Sequence, residues 1–110
     1  MTTSKHSEGD VTVLELTGGL TLTNGVERLR GDILELLRTG HNRIAVDLSH
    51  VPDMDSAGLG ELVRSHVATT KQHGEFSLLN VPRHVRKMLR VTRLATVLRC
   101  GENTSKRAAL

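Results

Sequence analysis

The sequence predicts an α/β fold, a mixed sheet of four to five strands flanked by about four helices. Two observations carry this. Segments of alternating apolar residues take turns with segments whose apolar residues recur every three or four positions. Gly, Pro and Asn residues punctuate the boundaries between them. The elements run in the order ββαβαβαα. Strands alternating with helices place those helices on a sheet, with β-α-β links expected as right-handed crossovers.

Residues 3–8 are the first strand candidate. A turn at Gly9-Asp10 leads into "VTVLELTG", where Val11, Val13 and Leu14/Leu16 alternate well enough for a second strand. Together they suggest an N-terminal hairpin. Thr23 or Asn24 is placed to cap the first helix. Val26, Leu29, Ile33, Leu36 and Leu37 form one face of that helix, and Gly40 stops it. "RIAVDLS" at residues 43–49 is a strand with Ile44, Val46 and Leu48 on one side, ended by Pro52. A second helix is expected over about residues 55–72, with Leu59, Leu62, Val63, His66 and Val67 as its buried stripe and Gly74 beyond its end. "EFSLLN" is a short strand. Pro82 suits the first position of a third helix, which turns Val85, Met88 and Leu89 inward. "RLATVLR" is read as a last short helix.

A chain of 110 residues has room for one domain, placed here at residues 1–100, with 101–110 as a frayed polar tail. Phe76 is the only aromatic residue, so the core must be aliphatic and no stacking platform for bases exists. Cys100 stands alone, which excludes a disulfide within the chain and fits a reducing compartment. The opening "MTTSKHSEGD" holds no apolar run, and no segment approaches about 18 consecutive apolar residues. The expectation is a cytoplasmic protein without a membrane span. The formal net charge of +3 is uneven. Residues 1–81 carry seven basic and eleven acidic side chains, whereas 82–110 carry eight basic and one acidic.

The stretch "VPDMDSAGLG" from Val51 to Gly60 concentrates the chemistry. Ser56 falls in the first turn of a helix that follows a strand. Gly58 and Gly60 lie within the next four positions, although each glycine costs a helix about 1 kcal/mol against alanine. Such glycines suggest that something approaches this backbone closely. A plain N-cap shared with Asp55 is one reading of Ser56. The functional reading is a phosphorylation site. A helix N-terminus tolerates a phosphate, and the added charge would join Asp53 and Asp55 and alter a docking surface without unfolding the chain.

Other chemistries find little support. A nucleophilic serine would need a "GxSxG" elbow, which is absent; His50 or His84 could approach only through folding. The six histidines are scattered, with no metal-ligand spacing beyond His66 and His73, and His66 reads as a packed helix residue. Gly18-Gly19 is a strand-end turn and not a phosphate loop. Arg83, Arg86, Lys87, Arg90 and Arg93 make a cationic face opposite Val85, Met88 and Leu89. That face is either a solvated helix surface or an attractor for an acidic partner. No nucleic-acid-binding signature accompanies it.

From Leu14 to Leu98 the chain resembles the STAS domain, specifically bacterial anti-sigma factor antagonists. "IAVDLSHVPDMDSAGLGELV" from Ile44 to Val63 carries the resemblance: an apolar strand, "DLS", then "DS-x-GLG-x-L". "LLNVPRHVRKMLRVTRLATVL" resembles the family's final strand and helix pair. The resemblance implies the STAS fold, no catalysis, no cofactor and no metal in this chain. It implies an anti-sigma factor partner that is itself a serine kinase using ATP and Mg²⁺. That kinase would phosphorylate Ser56 and release the antagonist, and a separate serine phosphatase would restore it. The implied partner surface comprises Asp55, Ser56, Gly58, Leu59 and Gly60, with Thr23 and Asn24 from the preceding loop and Met54 as an apolar anchor. A homodimer is compatible with this reading. The family's "GELD" is here Gly18-Gly19-Leu20-Thr21, without an acidic residue at Gly19 or Thr21, and Ala57 replaces a frequent second hydroxyl. The alternative is a non-switching STAS subunit of a larger assembly, a stressosome-like scaffold or an accessory subunit of a lipid ABC transporter. The enzymatic rival is an esterase built on Ser56.

Overall fold

The computed structural model describes residues 1–101. Five strands and three α-helices follow one another as β1 Thr2–Glu8, β2 Val11–Thr17, α1 Val26–Arg38, β3 Arg43–His50, α2 Ser56–Lys71, β4 Glu75–Leu79, α3 Arg83–Val91 and β5 Arg99–Gly101. A single 3₁₀ turn, Leu94–Thr96, precedes β5. The strands lie side by side in chain order. β1 and β2 form the expected antiparallel hairpin, and every later neighbour is parallel. Gly9 takes φ +65° at the turn, the left-handed first position that a two-residue hairpin requires.

Successive crossovers of one hand, stepping in one direction across the sheet, bring all three helices to the same face. One core joins them there. Leu14, Leu16, Ile44, Val46, Leu48, Phe76 and Leu78 point from the sheet; Leu29 and Ile33 of α1, Leu59 and Leu62 of α2, and Val85 and Leu89 of α3 meet them. The opposite face holds only a small cluster of Val13, Ala45 and Leu79, flanked by Val11. The period of two along each strand divides the residues this way. Asp47 of the "DLS" segment locks the ends of two strands together. One carboxylate oxygen accepts the Ser49 N–H at 2.9 Å and the other accepts the Asn80 side-chain amide at 3.1 Å.

Four sequence expectations are corrected. First, neither Thr23 nor Asn24 caps α1. Those residues belong to a tight turn in which Thr21 and Asn24 exchange backbone hydrogen bonds, and Gly25 precedes the helix at φ +94°. Second, Val67 is not on the buried stripe of α2. The inward positions are Leu59, Leu62, Ser65 and Thr69, and Glu61 is buried beside them, because the helix packs on both the sheet and α1. His66 is half-buried, with its ring edge-on to Phe76 at 6.3 Å between centroids. Third, Pro82 sits one residue before α3, and its carbonyl accepts the Val85 and Arg86 N–H groups. Fourth, the last short helix is only the 3₁₀ turn. Arg93 adopts φ +62° and breaks the helical run; buried Leu98 then anchors β5, which pairs with β4 from Ser77↔Arg99 to Leu79↔Gly101. Gly101 thus belongs to the sheet and not to the tail, and residues 102–110 of that tail lie outside the described residues.

Candidate functional site

The site lies at the end of the sheet where β3 runs out into α2. Ser56 is the first residue of α2 and is exposed. Its hydroxyl makes no hydrogen bond with a described residue. Asp55 caps the helix through its Oδ1, which accepts the Gly58 N–H at 2.9 Å. Its Oδ2 accepts the Leu22 N–H at 3.1 Å from the loop before α1. These two backbone donors, Gly58 first and Leu22 second, hold the Asp55 carboxyl below the usual carboxylate range. The loop is tied down again where the Leu20 N–H donates to the Asp53 carbonyl at 3.0 Å. Thr23 and Asn24 are exposed on that loop, beside the tip of α2.

The other expected surface residues divide. Gly60 is exposed and Met54 is partly covered. Gly58 and Leu59 are buried. Gly58 is required by close packing within the chain: a Cβ there would sit 2.0 Å from the Leu20 carbonyl oxygen. Gly60 has open space, with nothing within 4 Å of such an atom. The pair of glycines therefore has two different origins. Gly19, where the family motif carries an acid, faces the Asp53 side chain. A Cβ at Gly19 would meet Asp53 Oδ1 at 2.6 Å, so Asp53 already places a carboxylate over this position.

Folding adds residues that the linear reading did not assemble. Leu22 is 74% exposed beside the Asp55 cap. An apolar cleft of about 300 Å³ opens between α2 and α3, lined by Ser56, Leu59, His84, Lys87, Met88 and Val91. Their joining depends on the packing of two helices that lie a whole strand apart in sequence. The cationic run was visible in the sequence; that its Lys87 shares a cleft with Ser56 was not. A second feature, the ion pair between half-exposed Arg30 and Glu61, was also missed. Arg30 Nη2 donates to Glu61 Oε1 at 2.9 Å, and the Glu61 side chain is 3% exposed. A glutamate set between Leu59 and Leu62 near the start of α2 was the available signal.

The chemistry offered is that of a surface. Among the described residues no group of three or more His, Cys, Asp or Glu side chains gathers as a metal site would need. His84 shares the cleft with Ser56, but no hydrogen bond joins them and no carboxylate is bonded to His84 among the described residues. No helix in the described residues is long and apolar enough to cross a membrane.

Comparison with known proteins agrees with this architecture. A candidate anti-sigma factor antagonist from Thermotoga maritima is 25% identical, with a TM-score of 0.85 over 97% of this chain and 91% of that one. The anti-sigma factor antagonist SpoIIAA in its unphosphorylated form is 21% identical, with a TM-score of 0.73 over 98% of this chain and 94% of that one. The phosphorylated form of the same Bacillus protein is equally alike in fold, with a TM-score of 0.75. A sulfate transporter family protein from Wolinella succinogenes shares the fold at 19% identity, with a TM-score of 0.73 over 87% of this chain and 80% of that one. The search of curated proteins gives no match. The family model described as "Mlab, STAS domain" spans residues 3–99, and with nearly all of the folded chain inside that match this protein belongs to the STAS domain family.

Proposed function

We propose that this protein is a cytoplasmic anti-sigma factor antagonist that binds an anti-sigma factor serine kinase and is released when Ser56 is phosphorylated. One observation carries the reading: Ser56 is exposed at the N-terminal tip of α2, its hydroxyl without a hydrogen-bond partner among the described residues, on a backbone held by Asp55. A phosphate there meets the positive end of the helix, so folding tolerates it. It also adds nearly two negative charges beside Asp53 and Asp55. Association therefore changes while the core does not. A serine phosphatase would reset the surface. The chain needs no cofactor for this and performs no catalysis of its own. An esterase requires Ser56 to be activated by a base, and His84 is not hydrogen-bonded to it.

The test pairs phosphorylation with binding. Incubation with the candidate kinase and ATP should add one phosphate, mapped to Ser56 by mass spectrometry. Ser56→Asp should weaken binding to that kinase and leave the thermal midpoint nearly unchanged. Equal affinity of variant and wild type sinks the proposal. A chromogenic ester turned over by wild type and not by Ser56→Ala would favour the esterase instead.

A second reading has a specific support, the "Mlab" description of the matching family model. On this reading the chain is a non-switching accessory subunit of a lipid ABC transporter or another assembly, and Ser56 stays unmodified in a permanent interface. Neighbouring genes for a permease and an ATPase, in place of a kinase and a sigma factor, would favour it.

A further inference from the structure

We propose that the cleft between α2 and α3 is a docking groove for an acidic amphipathic helix of a partner protein. The walls of the cleft are built by Leu59, Met88 and Val91. A single exposed aliphatic residue on a surface is ordinary. Val91, 74% exposed, instead extends an apolar strip that begins at buried Leu59 and runs through half-buried Met88.

Charge names the class of occupant. Arg28, Arg30, Arg38, Arg43, Arg64 and Arg99 each face a carboxylate within the chain. The four arginines of α3 and the turn after it, Arg83, Arg86, Arg90 and Arg93, pair with none among the described residues, and neither does Lys87 on the lip of the cleft. Apart from Arg86, whose Nε donates to the Val81 carbonyl at 3.1 Å, the side chains of these arginines on α3 and the turn after it have no partner among the described residues, while every other described arginine has a carboxylate; they mark a surface whose counter-charge comes from elsewhere.

Shape narrows the choice further. A phosphate backbone is held by cations and polar groups and gains nothing from an aliphatic cleft. A membrane surface takes up apolar side chains that protrude along a whole helix face. A concave apolar strip with cations beside it complements a helix whose apolar ridge runs at i, i+3, i+4 and i+7 with carboxylates alongside. Ser56 lines the same cleft. A phosphate on it would set a dianion against the incoming carboxylates and compete for Lys87. That last step rests on the proposed phosphorylation of Ser56; the groove itself does not.

The probe is a labelled synthetic peptide of about 18 residues, long enough to hold a helix. It carries leucines at the helical spacing and glutamates beside them; a twin carries lysines instead. Anisotropy should show wild type binding the glutamate peptide about tenfold more tightly than the lysine peptide, with affinity falling as salt rises. Side-chain methyl signals of Leu59, Met88 and Val91 should shift on binding. Lys87→Glu with Arg90→Glu, both on exposed positions, should weaken binding about tenfold at an unchanged thermal midpoint. Ser56→Glu should weaken it several-fold. Equal affinity for the two peptides, unmoved methyl signals, or tighter binding to phosphatidylglycerol vesicles or duplex DNA than to the glutamate peptide would overturn the groove. If no kinase modifies Ser56 and the glutamate peptide still docks as stated, the groove stands and the phosphorylation switch falls. If Ser56 is modified and the peptide does not dock, the groove falls alone.

Discussion

The backbone N–H of Leu22 donates to Asp55 Oδ2 at 3.1 Å, joining two loops 33 residues apart in the chain. The same carboxylate caps α2 through Gly58. One side chain thus positions both the helix tip bearing Ser56 and the loop bearing Thr23 and Asn24.

Asp55→Ala should therefore do more than remove a helix cap. We expect the thermal midpoint to fall by about 5 °C, followed by calorimetry. Amide exchange should quicken at Leu22 and Gly58 together. Exchange that quickens at Gly58 alone would show that the loop is held by other contacts.

The acid limb of stability tests the same carboxyl. Its folded-state pKa lies below the value in the unfolded chain, so the unfolded chain binds the proton more readily. The stabilisation is complete above the unfolded-chain pKa of about 4 and is lost as the pH falls further, through the folded value. Urea unfolding from neutral pH downward should show a smaller acid-dependent loss in Asp55→Asn than in wild type. Parallel pH profiles would refute the assignment.

The two glycines of the motif should respond oppositely to alanine. At Gly58 the new Cβ meets a backbone carbonyl oxygen at 2.0 Å, and relief requires moving the loop before α1. A loss of about 3 kcal/mol is expected by denaturant unfolding, at the upper end for an overpacked site. At Gly60 there is open space, and alanine should gain about 0.5–1 kcal/mol of helix propensity.

Gly19 and Asp53 should be coupled. Gly19→Glu places a second carboxylate against the first and should destabilise the chain. Gly19→Glu with Asp53→Ala should recover most of that loss, because the acid is then only relocated. A double-mutant cycle by chemical denaturation measures the coupling. Strict additivity would show that the two positions do not touch.

Arg30 and Glu61 form the ion pair with the most deeply buried carboxylate among those described. Arg30→Met leaves that carboxylate only Arg64, 3.9 Å away on its own helix, and should destabilise more than Arg38→Met, whose partner Glu35 is half exposed. Adding Glu61→Leu to Arg30→Met should restore most of the stability. Equal effects of the two arginine substitutions would mean that Arg64 compensates the buried carboxylate in full.

The fold was legible in the sequence wherever the chain repeats a period. The alternation in β2 and β3 and the three-to-four spacing in α1 report which residues face the core, because side-chain direction is fixed by backbone geometry alone. Ser56 at a helix start was legible for the same local reason. β5 was not. A three-residue parallel strand has too few positions to show alternation, and its pairing depends on Leu98 finding the core. The cap of α1 was misplaced because a turn from Thr21 to Asn24 competes for the residues that would have made it.

Local sequence determined the helix and strand periods, the uneven charge along the chain and the hydroxyl at the tip of α2, since each follows from neighbours within a turn or two. Tertiary packing alone decided that Asp55 also holds Leu22, that Asp53 covers Gly19, and that Ser56 shares a cleft with Met88 and Val91. Those relationships join residues separated by whole elements. They come into being only when burial of the aliphatic core draws the helices onto one face of the sheet, and no local period encodes that distance.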